Sequence, residues 1–309
     1  MATILAYDGG TTATRAALYD DKRDLRAEAA GGPCNPIEVG IAQCAATLVS
    51  LARELTREPA GVVVGGISGA GQPDVREALA RRLGDQLGAR RIVIANDLVP
   101  VLFANAGTRA AVLVIAGTGS SVLAQSGDGR SVIVGGRGAV FGDEGSAYQI
   151  GVCGLRAAAY AVDGMGPETA LTGALAEAAG VAAFNDLVAW SAQAAKHHVA
   201  ALARTVDAVA ATGDAVALEC ITAQATRLAG QTVAAVERFP LSSTAPVYMH
   251  GAVFERSALF RRAYEASLAE RMPGVKPTFP RLRGHRAVLE LALQSELPMD
   301  RISECLADD

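Results

Sequence analysis

The order of apolar and polar residues predicts strands that alternate with helices. The apolar stretch Ile4–Ala6 leads to Asp8, two glycines follow, and an extended pattern resumes over Ala13–Tyr19. This pattern predicts a strand, a tight turn and a second strand. Apolar residues at helical spacing across Ile37–Leu55 predict an amphipathic helix. The chain therefore begins as a mixed α/β protein.

The same kinds of pattern continue to the end of the chain. They predict, in order, strand 61–67, helix 74–87, strand 91–95, helix 98–105, a helical region at 147–237, strand 246–249, and helices 257–270, 284–293 and 299–306. Strands alternating with helices indicate a sheet with parallel strands, and ligands gather at the carboxyl ends of such strands. Two polar segments, Ser68–Gln72 and Asn96–Asp97, occupy such ends.

The strand, turn and strand near the amino terminus occur a second time. Val112–Ala124 repeats the plan, with a Gly, Thr and Ser turn at Gly117–Ser121. So long a period indicates a duplicated domain, because solenoid repeats are much shorter. We predict a first domain at residues 1–108, completed by residues 286–309, and a second at 109–285 with a helical insertion. Two such hairpins facing each other across a cleft would hold a nucleotide.

Length and composition bound the function. A chain of 309 residues with 50% hydrophobic and 19% charged residues is long enough for two domains with sizeable cores. Its net charge is -4 and its basic residues are scattered, which argues against a nucleic acid or an anionic membrane as partner. No signal peptide and no apolar run of membrane-spanning length is found. We expect a small-molecule partner.

The cysteines indicate a reducing compartment. They are odd in number, far apart and without a C-x-x-C pair; they are Cys34, Cys44, Cys153, Cys220 and Cys305. This pattern argues against a disulfide scaffold, a zinc site or an iron–sulfur cluster. A cytoplasmic location fits it best.

The turn after Asp8 contains the groups that bind a triphosphate. Glycines let backbone N–H groups approach an anion, Thr11 and Thr12 add hydroxyl donors, and Asp8 can hold a hydrated divalent cation. A Gly-rich hairpin beside a solvated Asp would show the same local pattern. The second copy of the turn favours the nucleotide interpretation.

Phosphoryl transfer to an alcohol also needs a carboxylate that takes the hydroxyl proton. Asp97 is the best candidate because it follows a strand, although an Asp there would also serve as an ordinary helix N-cap. Asp143 and Glu144 form a second carboxylate pair, with a solvated acidic turn as the alternative. Asn35 lies in a Pro-flanked loop and could be a turn residue only.

Several motifs together resemble a known family. In order and spacing, DGGTTATR, SGAGQ, ND before a helix, AGTGSS, GGRG followed by GDEGSAY, and a late strand running into HGAVFE resemble the N-acetylglucosamine kinase branch of the BadF/BadG/BcrA/BcrD ATPase family. The resemblance covers nearly the whole chain. It implies an α/β fold of two ribonuclease-H-like (actin-like ATPase) domains that close on ATP and sugar, with Mg²⁺ as cofactor.

The resemblance also assigns roles to residues. It implies that Asp97 is the catalytic base and that Asp8 holds Mg²⁺ through water. The residues implied to bind ATP are Gly9, Gly10, Thr11, Thr12, Arg15, Gly117, Thr118, Gly119, Ser120, His250 and Gly251. The residues implied to bind the sugar are Asn35, Ser68, Asp97, Thr118, Gly135, Gly136 and Asp143.

Two departures from the family pattern bear on specificity. His250 stands where the family commonly has glycine, which would reshape the adenine pocket. Arg137 replaces a tryptophan of several amino-sugar kinases. Arg137 suggests an anionic sugar such as N-acetylmuramic acid, but a structural salt bridge to Glu144 or Asp143 is the favoured interpretation.

The leading function is ATP-dependent phosphorylation of an amino sugar at its 6-hydroxyl, with N-acetylglucosamine converted to its 6-phosphate. The alternatives are a glucosamine or N-acetylmuramic acid kinase, an ATPase activator of an electron-transfer partner, and a nucleotide-dependent sensor without turnover. Such activators hold an iron–sulfur cluster with cysteines near a Gly-rich turn. This chain has no cysteine between Ala45 and Val152. The sequence leaves open whether the protein forms a homodimer.

Overall fold

The structure is a computed structural model, and it describes residues 3–239, 241–242, 244–294 and 301–306. The described residues form two compact units. The first unit contains residues up to 109, residues 125–131 and the residues from 280 onward, and the second unit contains 110–124 and 132–279. The domain boundaries that the sequence predicts after residues 108 and 285 stay a prediction.

The elements within the described residues are these. The strands are β1 Ile4–Gly9, β2 Thr14–Tyr19, β3 Leu25–Gly31, β4 Val62–Ile67, β5 Arg91–Asn96, β6 Ala111–Ala116, β7 Ser120–Gln125, β8 Ser131–Gly135, β9 Val247–His250 and β10 Ile302–Leu306. The helices are α1 Pro36–Val39, α2 Ile41–Leu55, α3 Pro73–Leu87, α4 Leu98–Ala106, α5 Ala147–Val162, α6 Leu171–Ala179, α7 Asp186–Gln193, α8 Lys196–Ala201, α9 Ala203–Ala211, α10 Ala215–Arg238, α11 Ala252–Arg256, α12 Ala258–Arg271 and α13 Gly284–Ala292.

A six-stranded sheet organises the first unit, in the order β10-β5-β4-β1-β2-β3. β1 pairs antiparallel with β2 and parallel with β4, and β4 pairs parallel with β5. The last residues of the three parallel strands lie in register, with Gly9 beside Ile67 and Ile67 beside Asn96. The segments that follow these strands therefore begin at one edge of the sheet.

A four-stranded sheet organises the second unit, in the order β8-β7-β6-β9. β6 pairs parallel with β9, and Ile115 lies beside His250. The order matches β3-β2-β1-β4 of the first unit, and the repeat in the sequence relates the first three strands of each of these two orders. The core of this unit joins the valines of β6 to the buried face of α10, where Ile221 and Leu228 are 1% and 0% exposed.

Glycine divides one predicted helix in two. The helix expected over 37–55 is α1 and α2, because Gly40 lies between them with φ +82°, a backbone conformation that L side chains rarely adopt. The helical region predicted at 147–237 is built from helices α5 to α10. α13, predicted over 284–293, packs against β1 and α4.

The helix predicted over 299–306 is wrong in its described part. Residues 302–306 form strand β10, which pairs antiparallel with β5 at the edge of the sheet. An ion pair between Arg91 and Glu304 joins the two strands. A segment this short has no decisive periodicity, and the open edge of β5 selects the extended form. Residues 299–300 lie outside the described residues.

A disulfide joins Cys34 and Cys44, whose Cα atoms are 4.6 Å apart. The expectation of a chain without a disulfide framework therefore misses this pair. The chain reverses after β3, and α2 brings Cys44 against Cys34, which sequence spacing does not show. Within the described residues, Cys153, Cys220 and Cys305 form no disulfide.

None of the helices in the described part of the chain combines the length and apolar character that a bilayer crossing requires.

Candidate functional site

The predicted site residues of the first unit lie at one edge of its sheet. Asp8 is in the last part of β1, Ser68 follows β4, and Asp97 follows β5. Because these strands are parallel and in register, their ends meet at the same edge. The backbone N–H of Ser68 donates to the carbonyl of Gly9 over 2.7 Å, which ties the loop after β4 to the predicted phosphate hairpin.

The hairpin between β1 and β2 is a tight turn. The N–H of Gly10 donates to the carbonyl of Ala13 over 3.0 Å. The hydroxyls of Thr11 and Ser68 are 3.4 Å apart. Thr12 and Arg15 are exposed, and Arg15 lies on β2 directly beside Asp8. The turn thus holds the hydroxyls of Thr11 and Ser68 close together, next to the exposed Thr12.

Asn35 joins this hairpin to the loop after β4. Its Oδ1 accepts from the N–H of Ile37 over 3.0 Å and caps α1, and its Nδ2 donates to the Thr11 hydroxyl over 3.2 Å. Gly69 has φ +80°, and a Cβ there would lie 2.0 Å from Asn35 Oδ1. Asn35 is 8% exposed. Asn35 is therefore a turn residue that also contacts the predicted phosphate loop.

Asp97 has the electrostatics of a proton acceptor. Burial and the neighbouring negative charge of Asp8 raise its pKa from 3.8 to about 6, and a hydrogen bond from Ser68 opposes this rise. Asp97 is the N-cap residue of α4, but within the described chain its side chain accepts no capping hydrogen bond, so capping does not explain the carboxylate. Asn96 Oδ1 instead accepts from the N–H of Leu98 over 3.1 Å.

Asp8 carries a partly buried carboxylate near that of Asp97. Burial raises its pKa, while the positive charges of Arg15 and His285 lower it. Among the described residues, no group of three His, Cys, Asp or Glu side chains could hold a metal. Mg²⁺ is usually bound by one or two carboxylates together with waters and substrate phosphates. Two buried or partly buried carboxylates, of which Asp8 raises the pKa of Asp97, fit such a cation.

The second unit carries a matching hairpin. The N–H of Gly117 donates to the carbonyl of Gly119 over 2.9 Å. The first turn of α5 is attached to it, since Ala147 N–H donates to Gly117 O over 2.9 Å and Tyr148 N–H to Thr118 O over 3.4 Å. The hydroxyl of Ser120 donates to the carbonyl of Glu144 over 2.7 Å.

The glycine-dense segment after β8 folds back onto this hairpin. Gly136 has φ +65°, and a Cβ there would lie 2.7 Å from Ser121 Oγ. Gly135 has φ +75°, and a Cβ there would lie 2.5 Å from Gln231 Oε1. Asp143 is 3% exposed, and a Cβ on Gly119 would be 3.1 Å from its Oδ2. The predicted sugar residues of this unit thus adjoin its predicted phosphate turn.

The salt bridge expected for Arg137 is wrong. Arg137 is exposed and, within the described residues, makes no ion pair with either predicted partner. Asp143 Oδ2 instead lies 3.1 Å from the Nζ of Lys196 on α8. Glu144 accepts a hydrogen bond of 2.6 Å from Gln231 on α10. Both of these partners, Lys196 and Gln231, belong to the helical region, and sequence spacing does not show that this region lies near the loop.

His250 and Gly251 follow β9 beside the end of β6. His250 lies opposite Ile115 in the parallel pair and is partly exposed. Gly251 has φ +103°, and a Cβ there would lie 2.4 Å from the carbonyl oxygen of Ala116. Only glycine fits this approach, which places the predicted adenosine loop next to Gly117.

Sequence reasoning missed two charged residues next to the predicted site residues. Arg76 on α3 is 2% exposed and donates to the carbonyls of Ala70 and Gly71 over 3.2 and 2.8 Å, so it holds the loop that carries Ser68. Lys196 contacts Asp143. Neither belongs to a motif, and an Arg or Lys at helical spacing reads as an ordinary surface residue.

This chain is similar to the model of a protein family, to a kinase sequence and to several solved structures. The model of the BadF/BadG/BcrA/BcrD ATPase family matches residues 7–288. An N-acetylmuramic acid/N-acetylglucosamine kinase of Clostridium acetobutylicum is 27% identical over 248 residues, covering 77% of this chain and 80% of that protein.

Solved structures share the fold. A candidate N-acetylglucosamine kinase from Chromobacterium violaceum superposes with a TM-score of 0.74 at 24% identity, covering 93% of this chain and 96% of that one. A glucokinase of the ROK family from Streptomyces griseus, in complex with glucose and AMPPNP, has a TM-score of 0.56 at 16% identity, with 94% and 98% covered.

Proposed function

Because the chain belongs to the BadF/BadG/BcrA/BcrD ATPase family, we propose that it is an ATP-dependent sugar kinase that phosphorylates an amino sugar at its 6-hydroxyl. We propose N-acetylglucosamine as the preferred sugar acceptor and N-acetylmuramic acid as the alternative acceptor. The names of the Clostridium acetobutylicum and Chromobacterium violaceum relatives support this substrate class. The observation that carries the proposal is the ionisable Asp97 at the strand ends beside Asp8 and Ser68.

Asp97 acts as the general base. With a pKa of about 6 it is mostly ionised near neutral pH, yet it is a better proton acceptor than an ordinary Asp. The carboxylate takes the proton of the 6-hydroxyl as the oxygen bonds to the γ-phosphorus, while the bond between that phosphorus and the β,γ-bridging oxygen breaks and ADP leaves. Ser68 holds the carboxylate through its hydrogen bond, so the base stays oriented toward the acceptor.

The two hairpins bind the phosphates of ATP. We expect the hydroxyls of Thr11, Thr12 and Thr118 to contact the phosphate oxygens. The N–H groups of Gly10 and Gly117 and the Ser120 hydroxyl instead hold the two turns in shape. Asp8 would hold Mg²⁺ through water, and the ion supplies charge stabilisation on the transferred group. Gly251 lets the predicted adenosine loop pack against the backbone of Ala116, directly before the second hairpin.

We further propose that each unit is a ribonuclease-H-like domain and that both sets of residues serve one reaction. The repeated strand order supports this, as does the likeness to glucokinase-type folds. A cytoplasmic location and a homodimer remain predictions from the sequence.

A coupled assay of ADP release tests the proposal. N-acetylglucosamine, glucosamine, N-acetylmuramic acid, N-acetylmannosamine and glucose are each supplied with ATP and Mg²⁺, and ³¹P and ¹³C NMR locate the phosphate on the product. We expect sugar-dependent ADP release, phosphate on the 6-oxygen, and loss of both in Asp97→Asn. ADP release that no sugar stimulates would instead support the ATPase activator, and nucleotide binding without any release would support the sensor.

A further inference from the structure

The ion pair between Lys196 and Asp143 places a cation beside the proposed sugar site. The Lys196 Nζ is 3.1 Å from Asp143 Oδ2, and the two side chains are 22% and 5% exposed. The lysine is therefore still reachable from solvent, whereas the carboxylate is nearly closed off. A carboxylate so buried is costly to ionise unless a cation accompanies it.

The packing of two helices sets the position of Lys196. α8 lies against α5, and Gly151 of α5 is so close that a Cβ there would be 2.3 Å from the carbonyl oxygen of Val199. Lys196 is the first residue of α8, three residues before that contact. The helical region thus brings the ammonium group to a loop fifty residues earlier in the chain.

The backbone of Asp143 holds the other partner in place. Its φ is +62°, a conformation that non-Gly residues seldom adopt and that carries strain. Its carbonyl accepts from the N–H of Ser146, and Gly119 of the hairpin adjoins its Oδ2. The ion pair consequently sits where the proposed sugar-binding and phosphate-binding segments of the second unit meet.

We propose that Lys196 is a specificity-determining residue that admits an amino sugar carrying its own carboxylate, such as N-acetylmuramic acid. This inference rests on the proposed function. Without the lysine, the bare charge of Asp143 repels a second carboxylate, whereas a neutral sugar has no charge for it to repel. With the lysine, the pair is neutral overall and the ammonium group attracts the sugar's carboxylate.

The test compares kcat/KM for N-acetylmuramic acid and N-acetylglucosamine in wild type, Lys196→Gln and Lys196→Arg. We expect Lys196→Gln to lower the ratio of the anionic to the neutral sugar at least tenfold, or about 1.4 kcal/mol. Lys196→Arg retains the charge and should keep the ratio within about threefold. A merely structural ion pair would lower both values equally.

Arg137→Gln is the matched control. It removes one positive charge from an exposed residue in the same loop, and we expect no change in the ratio. A change with Arg137→Gln but none with Lys196→Gln would overturn the proposal and return the role to Arg137.

A measurement on wild type covers the case in which the variants do not fold. Raising NaCl from 50 to 500 mM should lower kcat/KM for the anionic sugar severalfold more than for the neutral one, because salt screens the attraction. Equal salt dependence would refute the inference, as would a wild type that phosphorylates N-acetylglucosamine but not N-acetylmuramic acid. A wild type that phosphorylates neither sugar would instead refute the proposed function.

Discussion

Asp97→Asn should make the protein more stable and inactive at the same time. The folded state raises the pKa of this carboxyl from 3.8 to about 6, mainly through burial and then through the charge of Asp8. A shift of about two units costs the ionised form about 3 kcal/mol of folding free energy at pH 7.5. Asparagine carries no charge, so it avoids this cost while keeping the shape of the side chain.

The sign of the pH dependence follows from the raised pKa. Between about pH 4 and 6 the folded state holds a proton that the unfolded state has lost, so wild-type stability falls as the pH rises through this window. The advantage of Asp97→Asn should therefore shrink from about 3 kcal/mol at pH 7.5 to about 1 kcal/mol at pH 4.5. Below pH 3.8 it should vanish.

Thermal unfolding in EDTA without nucleotide measures this effect, and ADP release measures activity. We expect an apparent Tm about 6 °C above wild type at pH 7.5, with kcat/KM lower by at least about a hundredfold. Asp85→Asn, on an exposed position of α3, removes the same charge and should move Tm by about 1 °C at most. A variant Tm at or below the wild-type Tm, or a Tm difference that does not change with pH, would show that folding does not raise the pKa of Asp97.

Three further substitutions test the surroundings of Asp97. Ser68→Ala removes the hydrogen bond that favours its ionised form, so the acidic limb of kcat/KM should move up by about one pH unit; an unmoved limb would contradict this role. Gly69→Ala places a Cβ 2.0 Å from Asn35 Oδ1 at φ +80°, so KM for the sugar should rise at least tenfold, and a sugar titration with an unchanged KM would count against it. Arg76→Ala leaves one buried and one partly buried carbonyl without their guanidinium donor and should cost about 2–3 kcal/mol in chemical denaturation, with a smaller loss in Arg76→Lys as the control.

Much of the first unit follows from local pattern. Apolar runs ending in polar residues place β1, β4 and β5, and parallel strands bring Asp8, Ser68 and Asp97 to one edge. Glycine spacing likewise indicates both hairpins, because glycines between two apolar runs favour a tight turn. Each single strand or turn is a local feature, so a segment of about ten residues contains the information for it.

Other features depend on contacts between distant segments. The last strand was expected to be a helix, since five residues have no decisive period until the edge of β5 pairs with them. Cys34 and Cys44 meet only because α2 folds back along β3.

The sequence by itself determined the strand-and-turn repeat, the family resemblance and the base candidate, because each lies in a short segment with its own chemistry. The tertiary structure decided which charges stand beside those segments: Arg76 under the loop of Ser68, and Lys196 in place of Arg137 beside Asp143. Charge pairing depends on distances of a few ångströms between helices and loops far apart in the chain. Composition and periodicity contain no such distances.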